Sequence, residues 1–150
     1  MKDCFYEYRK GLYEALTAIH YESQPLVVRE YVDSEMETPY VQILNMSSTF
    51  ERDDDTFLQV VTVDIMVVTS HEGDPGQFGS KQSDDIMTKI MQKLITKGVT
   101  VPDRAAHIVM TNFVDNGCYF VSLNYIPDFD GKRTTVRKVL TISTHIDENN

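Results

Sequence analysis

Tryptophan is absent from this chain of 150 residues, and cysteine occurs only twice, at Cys4 and Cys118. Two thiols so far apart make no disulfide framework; they read as reduced, partly buried side chains. Positive charge is scarce: 14 Lys and Arg stand against 23 Asp and Glu, for a net charge of −9 and a pI of about 4.8. That balance excludes a free-standing nucleic-acid grip, which concentrates cations against phosphate. Long apolar runs are missing as well. None approaches the roughly 20 residues that span a bilayer. The N-terminus has no basic segment followed by an apolar one, so no signal peptide is expected. A cytoplasmic protein or a part of a soluble assembly, without membrane contact, is the expectation.

Recognisable chemistry is equally thin. The four histidines are His20, His71, His107 and His145, and none forms a metal-spaced pair with another His or Cys. His71 with Glu72 and Asp74 is the one His–carboxylate cluster, placed in a loop whose default reading is solvation. No Gly-x-Ser-x-Gly elbow exists. The stretch GDPGQFGS, Gly73 to Ser80, precedes a helix, a position that can cradle phosphate. Yet GSK, Gly79 to Lys81, has the wrong order for a Walker loop, and Gly73, Gly76 and Gly79 miss the dinucleotide spacing. ERDDD, Glu51 to Asp55, lacks the central Gly and distant Glu of a calcium loop. No cofactor, metal or catalytic residue is expected.

What the chain does hold is a globular composition, 41% hydrophobic and 25% charged. Its length suits one domain over residues 1–150. In KDCFYEYRKGLYEALTAI, the residues Phe5, Tyr8, Leu12, Ala15, Leu16 and Ile19 recur at helical spacing, with Gly11 a weak point. LVVREYV, Leu26 to Val32, and YVQILNMS, Tyr40 to Ser47, read as strands, the second with Val41 and Ile43 on one face and Tyr40, Leu44 and Met46 on the other. SKQSDDIMTKIMQKLITKG, Ser80 to Gly98, is an amphipathic helix with Ile86, Met87, Ile90, Met91, Leu94 and Ile95 on its apolar face. HIVMTNFV, His107 to Val114, and CYFVSLNYI, Cys118 to Ile126, flank the Asp115–Gly117 stretch DNG, a hairpin signal. PDFDGK, Pro127 to Lys132, is a further turn. RTTVRKVLTIST closes the chain with Val136, Leu140 and Ile142 inward, and the tail IDENN is expected to fray. The order α, β, β, β, α, β, β, β with short late connections implies an α+β fold of two layers, a mostly antiparallel sheet with two helices on one face.

The long strand in FLQVVTVDIMVVTS is unusual. Phe57, Val61, Val63, Ile65 and Val67 form an almost purely apolar face. The other face mixes Leu58, Val60, Thr62, Asp64 and Met66 with Val68, where a one-sided sheet alternates more cleanly. A partner chain or a helix of the same chain fits that mixture. Tyr6, Tyr8 and Tyr13 on the first helix fit either boundary packing or a subunit contact.

The element order resembles the tail-completion, or tail-terminator, family of long-tailed bacteriophages. The likeness is carried by GLYEALTAI, by the Pro-Tyr-led TPYVQIL, by VTVDIMVVTSHEGDPGQFGSKQSDDIMTKIMQKL and by GKRTTVRKVLTIST. VVREYVDSEMET departs from the Pro-containing stretch typical of that family. The resemblance implies a structural virion protein, assembled in the host cytoplasm, that closes into a homo-oligomeric ring, usually of about six copies, through different left and right patches. Such a ring ends the tail tube at its head-proximal end and joins it to the head–tail connector protein. It has no catalytic residues. Genomic DNA passes its channel without specific binding, in keeping with an acidic chain that repels phosphate. On this reading Leu58, Val60, Thr62, Asp64 and Met66, with Tyr6 and Tyr13, are subunit-interface candidates. His71, Glu72, Asp74, Gln77 and Phe78 belong to a docking loop, Ser70 to Gly79, aimed at an adjoining ring. The alternatives are a head-completion ring of the neck, and a small ligand-binding domain or enzyme using residues 71–79.

Overall fold

Inward-pointing valines and isoleucines set the fold. Val61, Val63, Ile65 and Val67 sit at alternate positions of one strand and are each at most 1% exposed. Strand geometry sends such residues to one face, and two helices cover it. The computed structural model describes residues 2–33, 36–53, 56–73, 81–96 and 108–148. In chain order these form α1 (Phe5–Thr17), β1 (His20–Tyr21), β2 (Gln24–Pro25), β3 (Val28–Arg29), β4 (Tyr40–Asp53), β5 (Thr56–Glu72), α2 (Lys81–Leu94), β6 (Phe113–Phe129) and β7 (Arg133–Glu148).

The main sheet has the order β3-β4-β5-β7-β6. Its three long pairings are antiparallel, and only β3 lies parallel to β4, through Val28 and Arg29. The result is the α+β, two-layer, mostly antiparallel arrangement that periodicity implied.

α1 buries Tyr8, Leu12, Ala15 and Leu16, the stripe that its spacing marks out, and Ile19 follows just past its end. α2 buries Ile86, Met87, Ile90 and Leu94. Opposite them lie β5 and the inward side of β7, where Val136, Leu140, Ile142 and Ile146 are fully covered. Each such side chain contributes roughly 1.5–3 kcal/mol of burial. Polar contacts are set within this layer as well. Tyr8 and Thr144 share a hydrogen bond of 2.9 Å between their hydroxyls. Gln59, 4% exposed on the inward face of β5, accepts from Cys4 Sγ at 3.0 Å and donates to the Lys2 carbonyl at 2.6 Å.

Several expectations are corrected. Asp115–Gly117 is not a hairpin turn. β6 runs unbroken through it to Phe129, with a register shift between Asp115 and Gly117. Gly117 takes φ 140° there, so its conformational freedom makes a bulge. The chain turns instead at 130–132, where Asp130 Oδ1 accepts from the amides of Lys132 and Arg133 at 2.9 and 2.8 Å. Gly131 adopts φ 97° in that turn. Leu26–Val32 supplies only the two-residue β3, whose Val28 and Arg29 pair with Val41 and Gln42. The Ile43/Met46 shift in β4 moves Met46 to the inward side, opposite Val63. The tail is paired through Glu148, with Ile146 in the core. Ser80, Lys97, Gly98 and His107 lie outside the described residues, as does the side chain of Phe57.

Candidate functional site

The side of the sheet away from the helices carries the mixed face of β5. Leu58, Val60, Thr62, Asp64 and Met66 are all half-buried. Their cover includes neighbours in the same sheet. Thr62 stands between Ser47 and Ser143, Asp64 beside Thr141, and Met66 between Gln42 and Val139. Thr141 Oγ1 donates to Asp64 Oδ1 at 2.6 Å, which satisfies one carboxylate oxygen within the chain. With Thr49, Ser122 and Asn124 in the same rows, hydroxyls and amides surround Asp64, while Arg133 and Arg137 face outward nearer the end of β5.

Tyr6 and Tyr13 lie on α1, 66% and 43% exposed, on the opposite side of the sheet. The structure therefore does not bring the helix tyrosines together with the strand candidates. Tyr8, between them, is buried.

His71 and Glu72 are the last residues of β5, opposite Thr134 and Arg133 of β7. They do not lie in a loop, as expected, and strand alternation sends their side chains to opposite faces. Glu72 Oε1 is 3.6 Å from Arg133 Nη1, an exposed pair. Asp74, Gln77 and Phe78 lie outside the described residues. Among the described residues, no group of three or more His, Cys, Asp or Glu side chains is placed to hold a metal ion. No described helix is long and apolar enough to cross a membrane. An open groove of about 780 Å³ sits on the outer side, lined in part by Asp33, Glu37, Met66, Arg133 and Arg137. It joins both signs of charge on a wide surface.

The buried thiols are chemically quiet. Burial pushes the Cys118 thiol up to about 12 and Cys4 up to about 11, the latter with help from nearby Asp3. Neither is poised as a nucleophile, since the thiolate is the reactive form.

One surface escaped sequence reasoning. β6 is the edge strand of the sheet. Of the fourteen large hydrophobic side chains exposed among the described residues, eight lie on it: Val114, Tyr119, Phe120, Val121, Leu123, Tyr125, Ile126 and Phe129. They occupy both faces. Phe120, Leu123, Tyr125 and Phe129 share the helix side with Ile142, Leu140, Lys138 and Thr134, while Tyr119 and Ile126 lie outward with Ser143 and Arg137. Tyr119 packs on His145, their ring centroids 4.9 Å apart. The signal in the sequence is a run without any charged side chain, Asn116 to Pro127. The sequence reading kept Cys118 to Ile126 as one strand, but its place at the sheet's edge follows only from the strand order.

Comparison with known proteins gives a likeness of fold. No protein-family model matches the chain, and no curated protein matches it. Among solved structures, it is similar to a chain of the virion of a native gene transfer agent (GTA) particle. The TM-score is 0.66 at 13% sequence identity, over 97% of this chain and 99% of that one. At that identity the similarity establishes the shared architecture.

Proposed function

We propose that this chain is a structural virion protein that closes into a ring at the head-proximal end of a phage-type tail. There it ends the tail tube and joins it to the head–tail connector. The observation that carries this reading is the full-length likeness of fold to a component of a gene transfer agent virion. The shape of the surface supports it. A long apolar edge strand is a liability in a lone subunit and natural in one that meets neighbours. Different left and right patches of one subunit generate a ring when their rotation closes.

The outward face of the sheet supplies the channel wall in this reading. Around Asp64 its rows of Ser, Thr, Asn and Gln offer phosphate little to hold, and the outward Arg133 and Arg137, nearer the end of β5, share their surface with Asp33, Glu37 and Glu72, so DNA slides past without a specific grip. The mixed face of β5 thus belongs to the channel. The function is architectural, and no side chain is assigned a catalytic role.

Electron microscopy tests this reading. Purified protein is expected to show rings with a central hole. Antibody raised against the chain is expected to mark the head–tail junction of particles that carry it. Labelling confined to the distal tail, or absent from particles altogether, would overturn the assignment.

A further inference from the structure

We propose that β6 of one copy pairs edge to edge with β4 of the next, so that the sheets of successive subunits join into one continuous sheet. This inference rests on the ring reading above and names the contact that would build it. The observation behind it is that the two ends of the main sheet match. At one end β7 is the only strand beside β6 among the described residues, with Thr96 hydrogen-bonded to Cys118 on the outer edge ahead of Ser122. At the other, β3 covers β4 at Val41 and Gln42 alone, so β4 from Ile43 to Asp53 has no strand beyond it among the described residues. A quarter of the chain is charged. Yet no charged side chain occurs from Asn116 to Pro127 on β6, nor from Tyr40 to Phe50 on β4. Natural edges are normally protected by charge, above all by lysine. Over these two stretches the free edges lack that protection, and they belong to the same sheet.

The geometry fixes the sense of the pairing. β4 and β5, β5 and β7, and β7 and β6 are each antiparallel, so β4 and β6 point in opposite directions. A rotation that carries one subunit to the next keeps each sheet's direction, so β6 meets the neighbour's β4 antiparallel, like the other long pairs. The bulges and Pro127 set the extent. β6 is regular between its Phe120/Ser122 shift and Pro127, and β4 is regular from Met46 onward. Ser122 to Ile126 is an ordinary strand length, about five residues. Exposed Phe120 and Leu123 then gain cover from the neighbour's side chains. Because the patches differ, the contact is heterologous and propagates.

The test uses two full-length variants, Asn124→Cys and Thr49→Cys. Both positions are exposed and lie on the outward face of the sheet. Cys4 and Cys118 are buried and serve as silent controls. The two proteins are treated with a short bis-maleimide, separately and after mixing and reassembly. Cross-linked dimer is expected only in the mixture, and a chain carrying both substitutions is expected to give a ladder of multimers. Cross-linking of Asn124→Cys with itself would show β6 pairing with β6 across a two-fold axis and overturn the proposal. Rings without any cross-link in the mixture would also overturn it, while leaving the ring reading intact. A strictly monomeric chain would overturn both. As a second measure, Val121→Lys on the exposed edge is expected to return the assembly to the 17.2 kDa monomer with an unchanged unfolding temperature. Unaltered assembly in that variant would count against the edge.

Discussion

Gly11 shows how a single atom can be decisive. It lies in the buried stripe of α1, and a Cβ built there would meet the Val109 carbonyl oxygen at 2.5 Å and Ile108 Cγ2 at 2.8 Å. The close approach needs glycine, so the residue that weakens the helix in isolation is what lets the chain before β6 lie against it. Gly11→Ala gains up to about 1 kcal/mol of helix propensity but overpacks a backbone contact, and a net loss of roughly 1–3 kcal/mol is expected. Denaturant unfolding reads the difference directly. Tyr8→Phe removes the partner of the Thr144 hydroxyl deep in the core, and a loss of about 1–2 kcal/mol is expected by the same measurement. The thiols and Tyr8 set an alkaline limit. Burial raises the folded pKa of Cys4, Cys118 and Tyr8. The unfolded chain therefore releases these protons first, and stability falls as pH rises. From the thiols, stability is expected to hold below about pH 9 and to decline toward pH 12, the interval between the ordinary and the folded Cys118 values. A chain equally stable at pH 8 and pH 11 would contradict that burial.

Among elements, β6 and β7 show where sequence patterns carried and where they failed. Helix periodicity located α1 and α2 nearly to their ends, because each has one face against the sheet and one in solvent. The inward valines of β5 and the inward Val136, Leu140 and Ile142 of β7 were equally legible. β6 was legible only from Cys118 to Ile126, because an Asn-Gly pair has two uses. A positive-φ glycine can close a hairpin or widen a strand, and the choice depends on whether a partner continues alongside. β7 does continue, as far as Glu148, so Gly117 makes a bulge and Asp130–Lys132 makes the turn. The bulge is held locally: Asp115 Oδ1 accepts from Gly117 N at 2.8 Å, and Thr96 Oγ1 accepts from Cys118 N at 2.9 Å. Gly117→Ala and Gly131→Ala force a β-carbon into positive φ, each at a cost of roughly 1–2 kcal/mol. Thermal melts are expected to show both losses, whereas a plain β residue at 117 would be indifferent to alanine.

Over the described residues the molecule is a sheet covered on one side by helices, with free strand edge along β6 and along most of β4. Its functional surface was only partly readable beforehand. The mixed face of β5 was visible as a pattern, yet its half-burial involves Ser47, Thr141 and Ser143 within the chain, which a single strand cannot reveal. The β6 edge depends on strand order, a long-range property that places a chain segment outermost. Tyr6 and Tyr13 were read with the strand candidates and prove to lie on the other side of the sheet. The proposed assembly joins these facts: uncharged edges meet, the polar face lines a channel, and α1 with α2 faces away from it. Light scattering of the purified chain, followed by the same measurement with tail tube protein added, tests this most directly. A discrete species at a fixed multiple of 17.2 kDa, unchanged over a wide concentration range, is the expected result. A 17.2 kDa particle at every concentration, with and without the tube, would contradict the account.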